Sequence, residues 1–256
     1  VLFDGGSTSK KNVGRYTIYT YLKYCGVRSL DYVFISHPDK DHVNGIYELI
    51  ELCDNTFEIG TVVLPGISRA AAVKKQADDD MSKLEKILKN AGINVVYADA
   101  GDCIKSGGFS VKCMHPCEGY DYESANDYSA VYLVEYGDFS MLMTGDAEKK
   151  AEKCIIEDVN RMAGDAGEPA RLVSVNILKV GHHGSKGASS EEFLSYVKPE
   201  TALISCGAGN SYGHPHTQTL QRLSGIGAKV YRTDESGEIA VRVRDGLYKI
   251  EVFKAL

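Results

Sequence analysis

The sequence predicts a layered α/β fold formed by a single domain, residues 1–256. Apolar runs typical of buried strands alternate with stretches of helical periodicity along the 256 residues. A chain of this length can bury a full core within one domain, and it contains no internal repeat, low-complexity tract or linker. Clusters of histidine and carboxylate residues follow four of the predicted strands, where α/β folds place their binding sites.

The N-terminal part of the chain alternates between strands and helices. Its opening strand runs into Gly5 and Gly6, which favour a sharp turn, and Gly26 and Gly92 stand where glycine commonly ends a helix. The run DYVFI, residues 31–35, has the apolar and β-branched character of a buried strand. The predicted order is strand 1–4, helix 14–24, strand 31–35, helix 43–53, strand 61–64, helix 68–91 and strand 93–97.

The remaining residues predict a hairpin, further strand–helix units and a final group of strands. Gly137 and Asp138 separate two alternating runs and predict the hairpin turn. Residues 115–130 are polar and rich in turn-forming residues, so we expect a loop there. The predicted order is strands 109–114, 130–136 and 139–144, helix 149–161, strand 172–180, helix 191–197, strand 201–206, helix 217–223 and strands 229–232, 238–243 and 247–253.

Composition narrows the class of protein. The net charge of −6 is spread among interspersed acidic and basic residues, so no broad basic face for nucleic acid is expected. Seven scattered cysteines do not form a disulfide framework. Cys113 and Cys117 have a spacing that a zinc knuckle uses, but no second Cys/His pair completes it, so we expect buried or free thiols in a reducing setting.

The ends of the chain lead to two further expectations. No run approaches the roughly 20 apolar residues of a membrane helix, and no leader peptide opens the chain, so the piece is expected to be soluble. Because it begins abruptly inside a predicted strand, we expect a domain of a longer protein or a chain whose start is missing.

The stretch SHPDKDHVNG, residues 36–45, lies between a predicted strand and a predicted helix. It contains His37, Asp39, Asp41 and His42. Two imidazoles and two carboxylates brought together in so short a loop are best explained by divalent cations that hold them. We therefore expect two metals a few ångströms apart at this loop. The alternative is a charged turn with chance histidines.

Carboxylates follow two other predicted strands. Asp146, in the motif TGD, ends the hairpin and begins a helix, where one carboxylate can bridge two cations. Glu148 is expected to support the site or carry a proton, although an acid at a helix start is also favourable in itself. Asp4 ends the first strand and is expected either to orient a metal ligand through a hydrogen bond or to cap its loop.

Two histidine pairs complete the candidate site. His182 and His183 follow a strand, and we expect one to bind metal and the other to contact substrate, because consecutive side chains at a strand end point to opposite sides. His214 and His216 lie in a glycine-rich loop after the next strand, near Asn210 and Tyr212. Any one pair could be an ordinary loop feature, but clusters at four strand ends favour a shared site.

The order of these motifs resembles a known superfamily. The motifs DGG, HxDxDH, NDxS, TGD, HHGS and N-x-x-GHPH resemble those of the metallo-β-lactamase superfamily, and more narrowly the β-lactamase-like domain of ComEC-type DNA-uptake (competence) proteins. The resemblance extends from residue 1 to about residue 234. It implies an αββα sandwich with a dinuclear metal site at one sheet edge. The ComEC-type domains usually open with a strand carrying VGQGD, which is absent here, so the fold is expected to lack its first N-terminal strand if the start is truncated.

The resemblance also implies a ligand set. One metal would be bound by His37, Asp39 and Asp146, and the second by Asp41, His42, Asp146 and His183. His183 is preferred to His182 because it directly precedes the glycine of the motif.

Two departures from the superfamily bear on the metal. Asp39 stands where most members have histidine. Most members also have a histidine in the segment before the hairpin, where this chain has Asn126, Asp127 and Ser129. His115 lies about ten residues earlier and fits that position less well. ComEC-type domains share this departure. The added oxygen donors favour Mn²⁺, with Zn²⁺ as the other candidate.

The resemblance implies hydrolysis of a phosphodiester by two metal ions. Asp41 would orient the attacking water, and His182, with His214 as a further catalytic candidate, would neutralise charge on a phosphoryl oxygen. Ser129, Asn210 and Tyr212 are expected to contact substrate.

Single-stranded or incoming DNA is the expected substrate, and a membrane channel domain of the same protein is an expected partner. Two alternatives stay open: hydrolysis of another phosphoester, such as a small-molecule or choline-type ester, and a non-catalytic module that binds DNA or supports a transporter. The expected location is the outer face of the bacterial cell membrane, or the cytoplasm in the alternative case.

Overall fold

The computed structural model describes residues 1–54, 56–66, 75–117, 124, 126–166 and 174–253, without the side chains of 75–79 and 162–166. The chain divides into two compact units. The first comprises Val1–Asp99 and Glu118–Tyr128, and the second comprises Ala100–Cys117 and Ser129–Leu256. Each is described by itself, and the predicted single domain stays a prediction.

The first unit contains a parallel sheet of four strands within the described residues. Its order is β1-β2-β3-β4, and every neighbouring pair is parallel. Buried apolar residues of the strands and helices, such as Val33, Ile46, Val62 and Leu84, form its core. The elements are β1 (Leu2–Phe3), α1 (Tyr19–Tyr24), β2 (Ser29–Phe34), α2 (Lys40–Glu51), β3 (Glu58–Pro65), α3 (Lys75–Asn90) and β4 (Asn94–Ala98).

Three glycines bring backbone segments of the first unit into direct contact. A Cβ added to Gly45, on α2, would lie 2.2 Å from the carbonyl oxygen of Gly5, and one added to Gly14 would lie 2.2 Å from that of Gly45. A Cβ on Gly6 would lie 2.4 Å from the carbonyl carbon of Asp41. Only glycine permits such approaches. The turn after β1 is therefore held directly against the first turns of α2.

The helix predicted over residues 14–24 has an irregular start. Gly14–Ile18 forms a π-helical turn, and regular α-helix begins only at α1. The second predicted helix begins at Lys40 rather than at residue 43, which places Asp41 and His42 within its first turn. The start of the helix predicted at 68–91 lies outside the described residues, and the described part is α3.

The second unit contains a mixed sheet of seven strands and a separate hairpin, counted over the described residues. The sheet order is β11-β10-β9-β8-β7-β6-β5, with β8 to β11 parallel and β5 to β8 antiparallel. The strands are β5 (Cys103–Ser106), β6 (Phe109–His115), β7 (Val131–Tyr136), β8 (Phe139–Met143), β9 (Ile177–Lys179), β10 (Thr201–Ile204) and β11 (Lys229–Arg232). The short strand β5 is absent from the sequence prediction. The hairpin pairs β12 (Glu238–Arg244) with β13 (Leu247–Phe253).

Both faces of the seven-stranded sheet are covered. On one face, Leu142 and Leu178 pack with Ile155 and Phe193 of the helices. On the other, Ile177 and its neighbours pack against the β12–β13 hairpin. Fully burying an aliphatic side chain is worth about 1.5–3 kcal/mol, so these two layers hold the sheet in place. The helices are α4 (Lys149–Ala166), α5 (Glu191–Val197), α6 (Thr217–Gly225) and α7 (Thr233–Ser236).

The predicted α/β class is confirmed. The helix predicted over residues 149–161 extends to Ala166. Among the described helices, none combines the length and apolar character needed to cross a membrane.

Candidate metal centre

The predicted metal loop of the first unit is organised by Asp4. Its Oδ1 accepts a hydrogen bond from the backbone N–H of Ser36 (2.8 Å), and its Oδ2 accepts from the Ser36 hydroxyl (2.7 Å). The same Oδ2 lies 2.8 Å from Nδ1 of His42. An ionised carboxylate can only accept, so Nδ1 of His42 carries the proton and Nε2 is the ring nitrogen with a lone pair. Asp4 thus lies where it can orient the ring of His42, and its role at a metal stays a prediction.

The charge of Asp4 is favoured by these contacts. Burial alone would raise the pKa of this carboxyl, but the charge and hydrogen bond of His42 and the hydrogen bond from Ser36 outweigh burial and lower the pKa. Asp4 therefore stays ionised at neutral pH and acts as a fixed acceptor for the histidine ring.

The other predicted residues of this loop lie beside His42. The rings of His37 and His42 have centroids 4.1 Å apart, and both residues are buried. Nδ1 of His37 lies 3.0 Å from the Ser36 hydroxyl, and its Nε2 lies 3.6 Å from Oδ2 of Asp39. Asp39 is the N-cap residue of α2, and Asp41 is the acid of its first turn. The first unit therefore gathers two imidazoles and several carboxylates at the end of β2.

In the second unit, Asp146 lies just beyond β8 and is buried. Its backbone N–H donates to the hydroxyl of Ser129 (3.1 Å), which is fully buried. Ser129 was predicted to contact substrate; the structure gives it a role in positioning Asp146, and substrate contact stays a prediction. The sequence signal for that role is the NDxS motif itself.

The double histidine adopts a backbone conformation that the sequence reasoning missed. His182 and His183 have φ values of 45° and 52°, in the left-handed region, and lie in the short 3-10 turn Gly181–Gly184. Their rings consequently do not point to opposite sides of a strand end. Nε2 of His182 lies 3.6 Å from Oδ2 of Asp146, and Nε2 of His183 lies 3.8 Å from Oδ1. The geometric reason given for separating their roles is therefore wrong, while the roles stay a prediction.

The two histidines differ in what holds their Nδ1 atoms. Nδ1 of His183 donates to the carbonyl oxygen of Ser205 (2.7 Å). Nδ1 of His182 lies 2.9 Å from Oε1 of Glu148, which also accepts from the hydroxyl of Ser185 (2.7 Å). The hydrogen bond with His182 lowers the pKa of Glu148, and the hydrogen bond from Ser185 acts in the same direction, while burial opposes both. In both histidines, Nδ1 is engaged by an oxygen and Nε2 is the ring nitrogen that lies toward Asp146.

The loop that carries His214 covers this cluster. The His214 ring lies 5.5 Å from that of His182 and 6.2 Å from that of His183, and Tyr212 stacks on it at 5.7 Å. Burial, with the nearby histidines, lowers the pKa of His214. Asn210 accepts from the backbone N–H of His214 (3.0 Å) and donates to its carbonyl (2.6 Å). Asn210 therefore holds the loop, and its predicted contact with substrate stays a prediction.

Two residues that the sequence reasoning missed fix the segment after the double histidine. Glu152, on α4, accepts from the backbone N–H groups of Ser189 and Ser190 at 2.5 and 2.9 Å. Arg222, on α6, donates to the carbonyl oxygens of Ser189 and Ala188, each at 2.7 Å. Both lie far along the chain from the HHGS motif, and nothing in their local sequence indicates the contact.

The residues present fit divalent metals. His37, His42 and His183 each have Nδ1 engaged by a neighbouring oxygen, which selects Nε2 as the atom that would bind a cation. Histidine ligands in proteins are oriented in this way by a carboxylate, hydroxyl or carbonyl. Asp39, Asp41 and Asp146 add hard oxygen donors beside them. The donor chemistry of each unit therefore suits a metal, although the individual ligand roles stay predictions.

Comparison with solved structures identifies the fold. The chain is similar to YhfI from Bacillus subtilis, a metallo-β-lactamase fold protein, with a TM-score of 0.51 and 12% identity over 90% of this chain and 82% of that one. The chain has a metallo-β-lactamase fold. CmlA, a diiron β-hydroxylase from Streptomyces venezuelae, is also similar, with a TM-score of 0.50 and 14% identity over 88% of this chain and 45% of that one. The resemblance inferred from the motifs is confirmed.

Sequence comparison finds competence proteins as homologues. ComE operon protein 3 of Bacillus subtilis (strain 168) is 29% identical over 242 residues, covering 94% of this chain and 28% of that protein. Recombination protein 2 of Haemophilus influenzae is 29% identical over 243 residues, covering 94% and 26%. Competence protein ComA of Neisseria gonorrhoeae is 28% identical over 243 residues, covering 93% and 28%. The chain thus spans about a quarter of the length of these relatives. No protein-family model matches it.

Proposed function

We propose that this metallo-β-lactamase-fold chain is a metal-dependent phosphodiesterase that hydrolyses DNA in a competence-type uptake system. The observation that carries the proposal is the set of histidines whose Nδ1 atoms are held by oxygen acceptors, next to the aspartates that follow the strands. The competence homologues support DNA as the substrate class. The proposed metal ligands are His37, Asp39, Asp41, His42, Asp146 and His183.

The metals and the protein residues have separate tasks. Two divalent cations, when bound, supply Lewis acidity toward a phosphoryl oxygen and an attacking water. Asp41, in the first turn of α2, orients that water by accepting its hydrogen bond. His182, oriented by its contact with Glu148, is the proposed donor to a non-bridging phosphoryl oxygen as negative charge grows there. The oxygen-rich ligand set favours Mn²⁺ over Zn²⁺.

The loop around His214 supports a single-stranded substrate. Tyr212 is 65% exposed and stacks on His214, so its outer face is open to a base. Stacking on an aromatic side chain is worth about 1–3 kcal/mol per base and does not depend on sequence. His214, with its lowered pKa, is a neutral imidazole at pH 7 and offers a hydrogen bond rather than a charge.

The proposal includes a second domain that delivers the substrate. With a net charge of −6, the chain needs the substrate to be delivered, and we propose that a membrane channel domain of the same protein delivers it at the outer face of the cell membrane. The same charge favours the second candidate function, which is hydrolysis of a small phosphoester.

The test compares wild-type protein with Asp146→Asn, because an amide offers only one neutral oxygen to cations that a carboxylate would bridge. We expect wild type with Mn²⁺ to cleave bis(p-nitrophenyl) phosphate and single-stranded DNA, and the variant to lose both activities while keeping its circular dichroism spectrum. Asp138→Asn, in the hairpin turn, is the control.

Three outcomes would contradict the proposal. Cleavage of a choline-type ester without cleavage of DNA would favour the small-ester hydrolase. Binding of DNA without any hydrolysis would favour the non-catalytic module. Wild-type turnover by Asp146→Asn with Mn²⁺ in excess would remove Asp146 from the ligand set.

A further inference from the structure

Three cysteines and a histidine meet inside the second unit, away from the double-histidine turn. Cys113 and His115 lie on β6, Cys117 follows that strand, and Cys154 lies on α4. All four are buried, with exposures of 2%, 0%, 6% and 0%. They include every cysteine of the chain that is fully buried. Thiol and imidazole groups buried in one place are candidate ligands of a soft divalent cation.

Three of these side chains have ligand atoms spaced close to those of a tetrahedral thiolate site. One nitrogen of His115 and the sulfurs of Cys117 and Cys154 all lie within 4.8 Å of one another. Nδ1 of His115 and Sγ of Cys117 are 3.7 Å apart. In tetrahedral zinc, with bonds of about 2.3 Å to sulfur and 2.0–2.1 Å to nitrogen, ligand atoms are about 3.5–3.8 Å apart. A contraction of about 1 Å would therefore close the set around one ion.

A third thiol, that of Cys113, lies on the same strand. It donates a hydrogen bond to the carbonyl oxygen of His115 (3.0 Å), and the strand has a β-bulge between these two residues. To serve as a fourth ligand, Cys113 would have to give up this hydrogen bond. Structural zinc sites are almost always four-coordinate, and Cys₃His is one of their common ligand sets.

We propose that His115, Cys113, Cys117 and Cys154 bind a structural Zn²⁺ ion that joins the end of β6 to helix α4. Binding would release the protons of the three thiols, since the thiolate is the ligand. No step requires an oxidant or a reductant. The ion would fix the strand end that leads toward Ser129 and Asp146, so it would stabilise the fold without entering the hydrolytic chemistry.

The site can be distinguished from the hydrolytic centre by its sulfur ligands. Co²⁺ substituted into the chain, purified under reductant, should give thiolate-to-metal charge-transfer absorption in the near ultraviolet. That absorption should persist in Asp146→Asn and disappear in Cys117→Ser and Cys154→Ser. Cys103→Ser, an exposed cysteine on β5, is the matched control and should leave the absorption unchanged.

A second measurement does not depend on the cysteine variants folding. X-ray absorption at the zinc edge of the wild-type chain should show sulfur scatterers at about 2.3 Å. Absence of sulfur scattering, or cobalt absorption that survives both cysteine variants, would overturn the proposal. A Cys117–Cys154 disulfide in protein purified under reductant would overturn it as well.

Discussion

The substitution Asp4→Asn tests how the protein orients a metal ligand. Asp4 accepts three hydrogen bonds, two from Ser36 and one from Nδ1 of His42. Asparagine fits the backbone, because residue 4 has φ = 52° and asparagine adopts the left-handed region more readily than other non-glycine residues. The change therefore isolates the side-chain chemistry.

The amide has one acceptor where the carboxylate has two. Its NH₂ group would face either the Ser36 hydroxyl or Nδ1 of His42. If it donates to Nδ1, the ring proton moves to Nε2, the atom that would bind the cation, and the wrong tautomer is stabilised. Removing a partner that orients a metal-binding histidine typically lowers metal affinity about 10–100-fold, or about 1.4–2.7 kcal/mol.

The free energy of unfolding should fall by a comparable amount. A hydrogen bond to a charged group contributes about 1.5–3 kcal/mol, and the Asp4 side chain is only 22% exposed, so solvent screening removes little of it. We therefore expect weaker metal binding together with lower stability of the metal-free protein.

The assay is calorimetric titration of Mn²⁺ into chelator-treated protein, followed by urea unfolding without metal. Asp31→Asn, at an exposed position on β2, is the matched control. Unchanged metal affinity in Asp4→Asn, with a loss of stability alone, would show that Asp4 only caps its loop, which was the alternative reading of the sequence.

Two further predictions concern the second unit. We expect His183→Ala to lose metal and turnover together, and His182→Ala to lose turnover at unchanged metal content, because the motif resemblance assigns metal binding to the histidine that directly precedes Gly184. The reverse pattern would exchange the roles. The hydrogen bonds from Arg232, opposed by burial, lower the pKa of Asp234 below its ordinary 3.8. The ionised carboxylate therefore stabilises the fold fully above pH 3.8, and this stabilisation is lost as the pH falls through the lowered pKa. In urea at neutral pH, the free energy of unfolding of Asp234→Asn should therefore be lower than that of wild type, and the difference should shrink in strong acid. A difference that does not change with pH would refute a role of the Asp234 charge in stability.

Much of the fold and of the candidate site follows from local sequence. The strand before residue 36 and the helix after residue 40 were predictable because apolar periodicity and glycine positions are local signals. The polar clusters were placed at strand ends for the same reason. Asp4 could be expected beside this loop because it ends a strand next to a glycine turn, and its orienting role stays a prediction.

Other features depend on contacts between distant segments. The left-handed turn at His182 and His183 has no propensity signal, since non-glycine residues rarely adopt it. Cys154 lies in the middle of a helix, far along the sequence from Cys117, so cysteine spacing alone does not predict that the two thiols lie together. Strand β5 is short, and its pairing with β6 defines it more than its composition does.

The glycine contacts at the start of α2 have a consequence for how this protein can change by mutation. Replacing Gly45 with alanine creates an overlap with main-chain atoms of Gly5, where no bulky side chain is present to be trimmed in return. A second substitution elsewhere therefore cannot restore the spacing by removing volume. Because Gly14 meets the carbonyl oxygen of Gly45 in the same manner, Gly14 and Gly45 can be exchanged for another residue only by moving the chain itself, and the start of α2 would move with it.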